Sequence, residues 1–164
     1  MREDSIKFYG WTERKLKGVI AETVVEQMLR YSKYLVFRFG YEMVLQHIKD
    51  IKIKNSYVKK IMQSMPDFIV IDPNGNVDII EVKFRYNGKL AEHDKKILEN
   101  LGKFWENARI LIVSLSKPHF QISRIREVLK TNKLYPLEND HFIKVSPETI
   151  RRYERLILKY YQQK

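Results

Sequence analysis

Pro66-Asp67-Phe68-Ile69-Val70-Ile71-Asp72-Pro73-Asn74-Gly75-Asn76-Val77-Asp78-Ile79-Ile80-Glu81-Val82-Lys83-Phe84 is the stretch whose reading decides the fold. Two apolar runs flank a Pro-Asn-Gly-Asn turn signal. This predicts an antiparallel hairpin, because Asn-Gly supplies the positive φ that a tight turn demands. Side chains alternate along a strand, so Glu81 and Lys83 share a face. Two acids, Asp67 and Glu81, and one lysine on a hairpin make a hard-cation site with an ammonium beside it. Such a site suits the cutting of a phosphodiester.

The register decides whether that site exists. In a strict two-residue Asn74-Gly75 hairpin Phe68 opposes Glu81, and Asp67 falls on the wrong face. A shift of one residue sets Asp67 opposite Glu81. The expectation is therefore a three-residue loop or a β-bulge, with strong twist at Asp67 as the alternative.

Outward from the hairpin, residues 13–33 read as a long helix, with Leu16, Ile20, Thr23, Val24, Gln27, Met28 and Tyr31 on one stripe. Tyr34 to Glu42 reads as a strand, and 43–54 is open between helix and extended chain. Ser56 caps a short helix that ends before Pro66. Asn87-Gly88 marks a loop, and 91–106 a helix. Residues 108–115 read as a buried central strand. Residues 119–130 read as a helix and Phe142 to Val145 as a short edge strand. Ser146-Pro147 opens a final helix with a Ser cap and Pro in first place. The order predicts an α/β fold: a three-layer α/β/α sandwich on a central mixed sheet.

The 164 residues suit a single domain with a sizeable core. No apolar run approaches the roughly 20 residues of a membrane span. Met1-Arg2-Glu3-Asp4 lacks a signal-peptide pattern, so the expected location is the cytoplasm, with no membrane partner. Zero cysteines exclude disulfides, zinc-thiolate sites and thiol catalysis. The net charge is +11 and unevenly spread. Residues 66–116 carry 7 Lys/Arg against 8 Asp/Glu, while 1–65 carry 13 against 7 and 117–164 carry 11 against 5. Acids gathered at the hairpin between basic flanks fit a polyanion-binding surface around an acidic metal site, with a solvated basic surface kept for solubility as the alternative. No phosphate-binding loop of the G-x-x-x-x-G-K type is present, so ATP use has no support. The four histidines show no ligand spacing and read as incidental, with His93, near the hairpin exit, no more than a minor candidate for lining the site.

The spacing of Pro66-Asp67 and Glu81-Val82-Lys83 resembles the PD-(D/E)XK nuclease superfamily, and the element order is similar to its restriction-endonuclease-like αβββαβ core. Within it, Lys17-Gly18-Val19-Ile20-Ala21-Glu22 and Val36-Phe37-Arg38-Phe39-Gly40 look most like the archaeal Holliday-junction resolvases. The resemblance covers roughly 14–116, with a core at about 13–116, a Lys-rich insertion at about 43–65 and a helical extension over 117–164. Those resolvases have a short Gly/Ser-rich loop where this insertion stands.

The resemblance implies a metal-dependent DNA endonuclease acting on possibly branched DNA, and a homodimer. A restriction or repair nuclease of the same fold, or a non-catalytic nucleic-acid-binding module, are the alternatives. Asp67, Glu81 and the Val82 carbonyl would hold Mg²⁺ or Mn²⁺. Lys83 would orient or help deprotonate the attacking water. Glu22 would reach the metal directly or through water, with Glu26 one turn on as its competitor. Lys15, Lys17, Lys59, Lys60, Arg85, Lys89, Arg151 and Arg155 are the candidate nucleic-acid contacts.

Overall fold

A computed structural model describes residues 2–39 and 56–161. The hairpin forms as β2 (Phe68–Ile71) and β3 (Val77–Phe84), with Phe68 opposite Ile80 and Ile71 opposite Val77. Its loop is the three residues Pro73-Asn74-Gly75. Asp72 N–H donates to the Asn76 carbonyl at 2.9 Å, and Gly75 N–H to the Asp72 carbonyl at 3.0 Å. Gly75 takes φ +85°, where a side chain would be strained. The Asp72 carboxylate accepts from the N–H groups of Asn74 and Asn76, which fixes the turn. One pair beyond Phe68–Ile80, the register sets Asp67 opposite Glu81.

Helix α1 (Arg2–Tyr31) precedes the edge strand β1 (Leu35–Arg38), which pairs antiparallel with β2. Helix α2 (Ser56–Gln63) leads into the hairpin. Helix α3 (Glu92–Phe104) carries the chain across to β4 (Arg109–Val113), which runs parallel to β3. Strand β5 (Phe120–Arg124), helix α4 (Ile125–Thr131), strand β6 (Tyr135–Pro136), a 3-10 turn and helix α5 (Pro147–Tyr161) follow. The result is a mixed α/β structure: one six-stranded sheet in order β1 to β6, with five helices among the described residues.

Helices cover both faces. Even-numbered β3 residues Ile80, Val82 and Phe84 join Val25 and Met28 of α1 and Ile157 of α5 in one cluster. Ile110 and Ile112 of β4 join Leu98 and Leu101 of α3 and Ile125 and Val128 of α4 in the other. Strand β4 lies between two layers and is buried at all five positions, as its unbroken apolar run requires. Both sheet edges are blunted. Arg30 donates to the outward Val36 carbonyl of β1 at 2.5 Å, and β6 is two residues long with Pro136 in it.

Several sequence expectations need correction. Residues 119–130 are a strand followed by a short helix: Phe120 and Ile122 alternate into the α1/α5 core while β5 pairs with β4. The 117–164 segment is thus an integral part of the sheet as well as helical. Phe142 to Val145 forms no strand. Asp140 holds the N–H groups of Phe142 and Ile143, and Tyr34 Oη accepts from Lys144 N–H, so Ile143 and Val145 reach the core from a loop. The buried stripe of α1 is Ala21, Val24, Val25, Met28 and Leu29; Leu16 and Tyr31 are exposed. The strand expected to run to Glu42 is seen as far as Arg38. Most of the Lys-rich insertion, including Lys49, Lys52 and Lys54, lies outside the described residues. Among the described residues no helix is long and apolar enough to cross a membrane.

Candidate active site

The site grows out of the place where β2 stops. Asp67 is the first residue before the ladder, and its backbone still pairs with β1, its carbonyl accepting from Phe39 N–H at 2.9 Å. On the other side the Asp67 carboxylate Oδ2 accepts from Val82 N–H at 2.7 Å. A side chain thus takes the acceptor's place in the ladder. The register would set Pro66 opposite Val82, and Pro has no N–H. The N–H and carbonyl of one strand residue point to the same side, so the Val82 carbonyl faces this same edge and receives no ladder donor from Pro66. That explains why Pro-Asp stands here: the pair ends the ladder, and a carboxylate and a carbonyl without a ladder donor are left along the same strand edge.

Glu81 lies one pair beyond Ile80 on the face of Asp67, and is only 6% exposed. Lys83 Nζ donates to its carboxylate. Burial, then the negative charges of Glu81 and Glu22, hold the Asp67 carboxyl well above the usual range; the Val82 N–H and the Lys83 charge oppose this and lose. Burial taken alone would pull the Lys83 ammonium down, but the charge and hydrogen bond of Glu81, with the charge of Asp67, leave it raised. Three acids and one lysine therefore share one electrostatic neighbourhood.

Helix α1 supplies the opposite wall. Glu22 lines the cleft with Asp67, Val82 and Lys83. Arg38 on β1 bridges Glu22 at 3.3 Å and Glu26 at 2.6 Å, and Arg30 holds Glu26 as well. Glu26 is taken up by this ion-pair network, whereas Glu22 reaches the cleft. The cleft holds about 580 Å³, and the buried Glu81 is not among the residues that line it.

The expected nucleic-acid contacts divide. Lys17 and Arg85 line the cleft but are engaged: the Lys17 ammonium meets Glu13 and the Tyr86 hydroxyl, and Arg85 forms a two-pronged pair with the fully buried Asp94 of α3. Arg85 thus ties the end of β3 to α3, a structural task that the sequence reading did not give it. Lys15, Lys60 and Lys89 are exposed. Lys59 lies in α2, and its side chain is outside what is described. Arg151 and Arg155 line a separate groove of about 310 Å³ with Lys117 and the buried His119. His93, Arg14 and Tyr86 line the main cleft as well. Arg14 and Tyr86 escaped the sequence reading; the position of Tyr86 just before Asn87-Gly88 is the signal that could have placed it at a turn.

Among the described residues no three His, Asp or Glu side chains are arranged to hold a metal ion by themselves. The candidate donors that the register brings to this end of β3 are nevertheless all oxygens: the Asp67 and Glu81 carboxylates and the Val82 carbonyl. This set fits Mg²⁺ or Mn²⁺, which take few protein ligands and complete their shell with water and phosphate. No protein-family model matches the chain, and no curated protein matches it.

Proposed function

We propose that this chain is a divalent-metal-dependent nuclease of restriction-endonuclease-like fold that hydrolyses phosphodiester bonds in DNA. The observation that carries the reading is the register: with Phe68 opposite Ile80, Asp67 opposes Glu81, and Lys83 follows on the same face. Burial first, and then the charges of Glu81 and Glu22, raise the Asp67 carboxyl, and a bound cation would offset both. Asp67, Glu81 and the Val82 carbonyl would hold Mg²⁺ or Mn²⁺, which supplies electrophilic stabilisation of the charge building on the phosphate. Lys83 keeps its proton, since its ammonium is raised, so it acts as a fixed cation and hydrogen-bond donor toward the phosphate or the attacking water. Glu22 completes the acidic wall from α1. Water attacks phosphorus in line, and the bond to the leaving oxygen breaks. Preference for branched DNA follows from the resemblance to junction resolvases and belongs to the same proposal.

Labelled junction, flap, duplex and single-stranded DNA incubated with Mg²⁺, Mn²⁺ or EDTA test this. Metal-dependent cleavage is expected. Asp67→Asn, Glu81→Gln and Lys83→Ala should each abolish it while binding stays within a few-fold. A variant that cuts at the wild-type rate removes its residue from the mechanism, and no cleavage of any substrate with either metal refutes the nuclease reading.

A further inference from the structure

We propose that Tyr86 is a stacking platform for an unpaired nucleobase, so that the site acts on nucleic acid carrying unpaired nucleotides beside the scissile phosphate. The inference rests on the nuclease reading of the Asp67 site and names its substrate class.

Tyr86 lies three residues after Lys83 and lines the same cleft, yet it is 55% exposed. An exposed aromatic on a loose loop would mean little; this one is held. It occupies the second position of a tight turn closed by Gly88 N–H to the Arg85 carbonyl at 3.1 Å. Gly88 takes φ +68°, and a Cβ there would run into Gln121 and Ser114. The turn is pinned to the β4–β5 hairpin at three points: Arg85 N–H to the Val113 carbonyl at 2.9 Å, Ser116 Oγ to the Tyr86 carbonyl at 3.3 Å, and Gln121 Nε2 to the Gly88 carbonyl at 3.3 Å.

The ring is braced too. It meets Phe84 edge-on at 5.1 Å and 72°, and Phe84 stacks on Tyr161 at 4.3 Å and 1°. Lys17 touches the Tyr86 hydroxyl and stands 4.6 Å from the ring centroid. The ammonium stands against the hydroxyl end of the ring and covers one face at most. A pre-oriented aromatic face thus opens onto a cleft that also holds Arg14, Lys83 and His93. Sites for single-stranded nucleic acid combine an aromatic platform with cations along the backbone in this way. In an intact duplex the bases are stacked inside the helix and offer such a ring nothing at backbone level; an unpaired base does.

The test measures affinity in EDTA, where cleavage is silent, for two DNAs of equal length. One is fully paired; the other carries an unpaired 2-aminopurine beside the cut position. Tyr86→Ala should weaken binding of the unpaired substrate by about 5- to 150-fold and leave the duplex within two-fold. Binding should quench 2-aminopurine fluorescence with the wild type, Tyr86→Phe and Tyr86→Trp, but not with Tyr86→Ala. Tyr86→Phe keeps the ring and removes the Lys17 contact, so it separates stacking from that contact. Equal weakening of both DNAs by Tyr86→Ala, a Tyr86→Phe as deficient as Tyr86→Ala, or no binding of either DNA overturns the proposal. Cleavage with no such preference leaves the nuclease reading standing without it. Base-dependent binding with no metal-dependent cleavage keeps the platform and refutes the nuclease.

Discussion

Asp67→Asn should make the protein more stable while abolishing its chemistry. Directly opposed strand residues have Cβ atoms about 5 Å apart. Two carboxylates at about 5 Å repel by about 3 kcal/mol at an effective dielectric of about 20. Lys83 is hydrogen-bonded to Glu81 and offsets part of this, which leaves an expected gain of about 1–2 kcal/mol when Asp67 is neutralised. Asn retains an oxygen for the Val82 N–H, so the backbone contact survives. For a chain of this size the gain corresponds to a rise in Tm of about 2–8 °C. The sign with pH follows from the raised carboxyl. Folding favours its protonated form, so the wild type keeps this stability below the unfolded value of 3.8 and loses it as pH rises through the folded one. The difference between variant and wild type should therefore be small near pH 4 and widen toward pH 8. Thermal unfolding followed by circular dichroism in EDTA reads it directly. Millimolar Mg²⁺ should then raise the wild-type Tm and leave Asp67→Asn unmoved. An Asp67→Asn protein no more stable than the wild type at pH 8 in EDTA would refute the like-charge cluster, and with it the electrostatic argument for a cation.

Glu22→Gln should lower cleavage by about 100-fold, whereas Glu26→Gln should cost less than ten-fold and act through stability, since Glu26 serves Arg30 and Arg38; single-turnover rates separate the two. Asp94→Ala should cost about 3–5 kcal/mol by stranding Arg85 at the end of β3. Burial raises the Asp94 carboxyl, but the Arg85 and Ala91 hydrogen bonds overturn that and lower it. The wild type should thus lose stability as pH falls below 3.8 through the folded value, and urea titrations at low pH should show that loss flattened in Asp94→Ala. Gly88→Ala should destabilise by about 1–2 kcal/mol through its left-handed backbone alone, a shift visible in the urea midpoint. DNA affinity should fall steeply with salt as basic residues displace counterions; a salt-independent affinity measured by fluorescence anisotropy would count against a phosphate-binding surface.

The hairpin and its acids were legible because both signals are local: apolar runs around Asn-Gly fix the strands, and the face parity of Asp67 and Glu81 fixes the shift between them. The strand at Phe120 was not, because Ile122, Ile125, Val128 and Leu129 are spaced like a helical face. Pairing with β4 claims the first part of that segment, and no local propensity announces it. Arg85 carried a charge that reads as a phosphate contact. Its partner within the fold, Asp94, became visible only when α3 folded back on β3. Glu22 and Glu26 were indistinguishable from spacing; both meet Arg38, and what separates them is that Glu26 also holds Arg30 while Glu22 lines the cleft with Asp67.

The stack of Tyr161 on Phe84 also sets a sequence of events in time. Tyr161 Oη donates to the Lys17 carbonyl at 2.5 Å, so one ring fastens the first helix to the strand bearing Glu81 and Lys83. Its partner Phe84 is made 77 residues earlier. At about 5–20 residues per second, a growing chain spends roughly 4–15 s with the acids synthesised and this brace still to come. During that interval it sits among the phosphates of the ribosome. A cleft braced by a late-arriving residue takes its full shape only once that residue has been made.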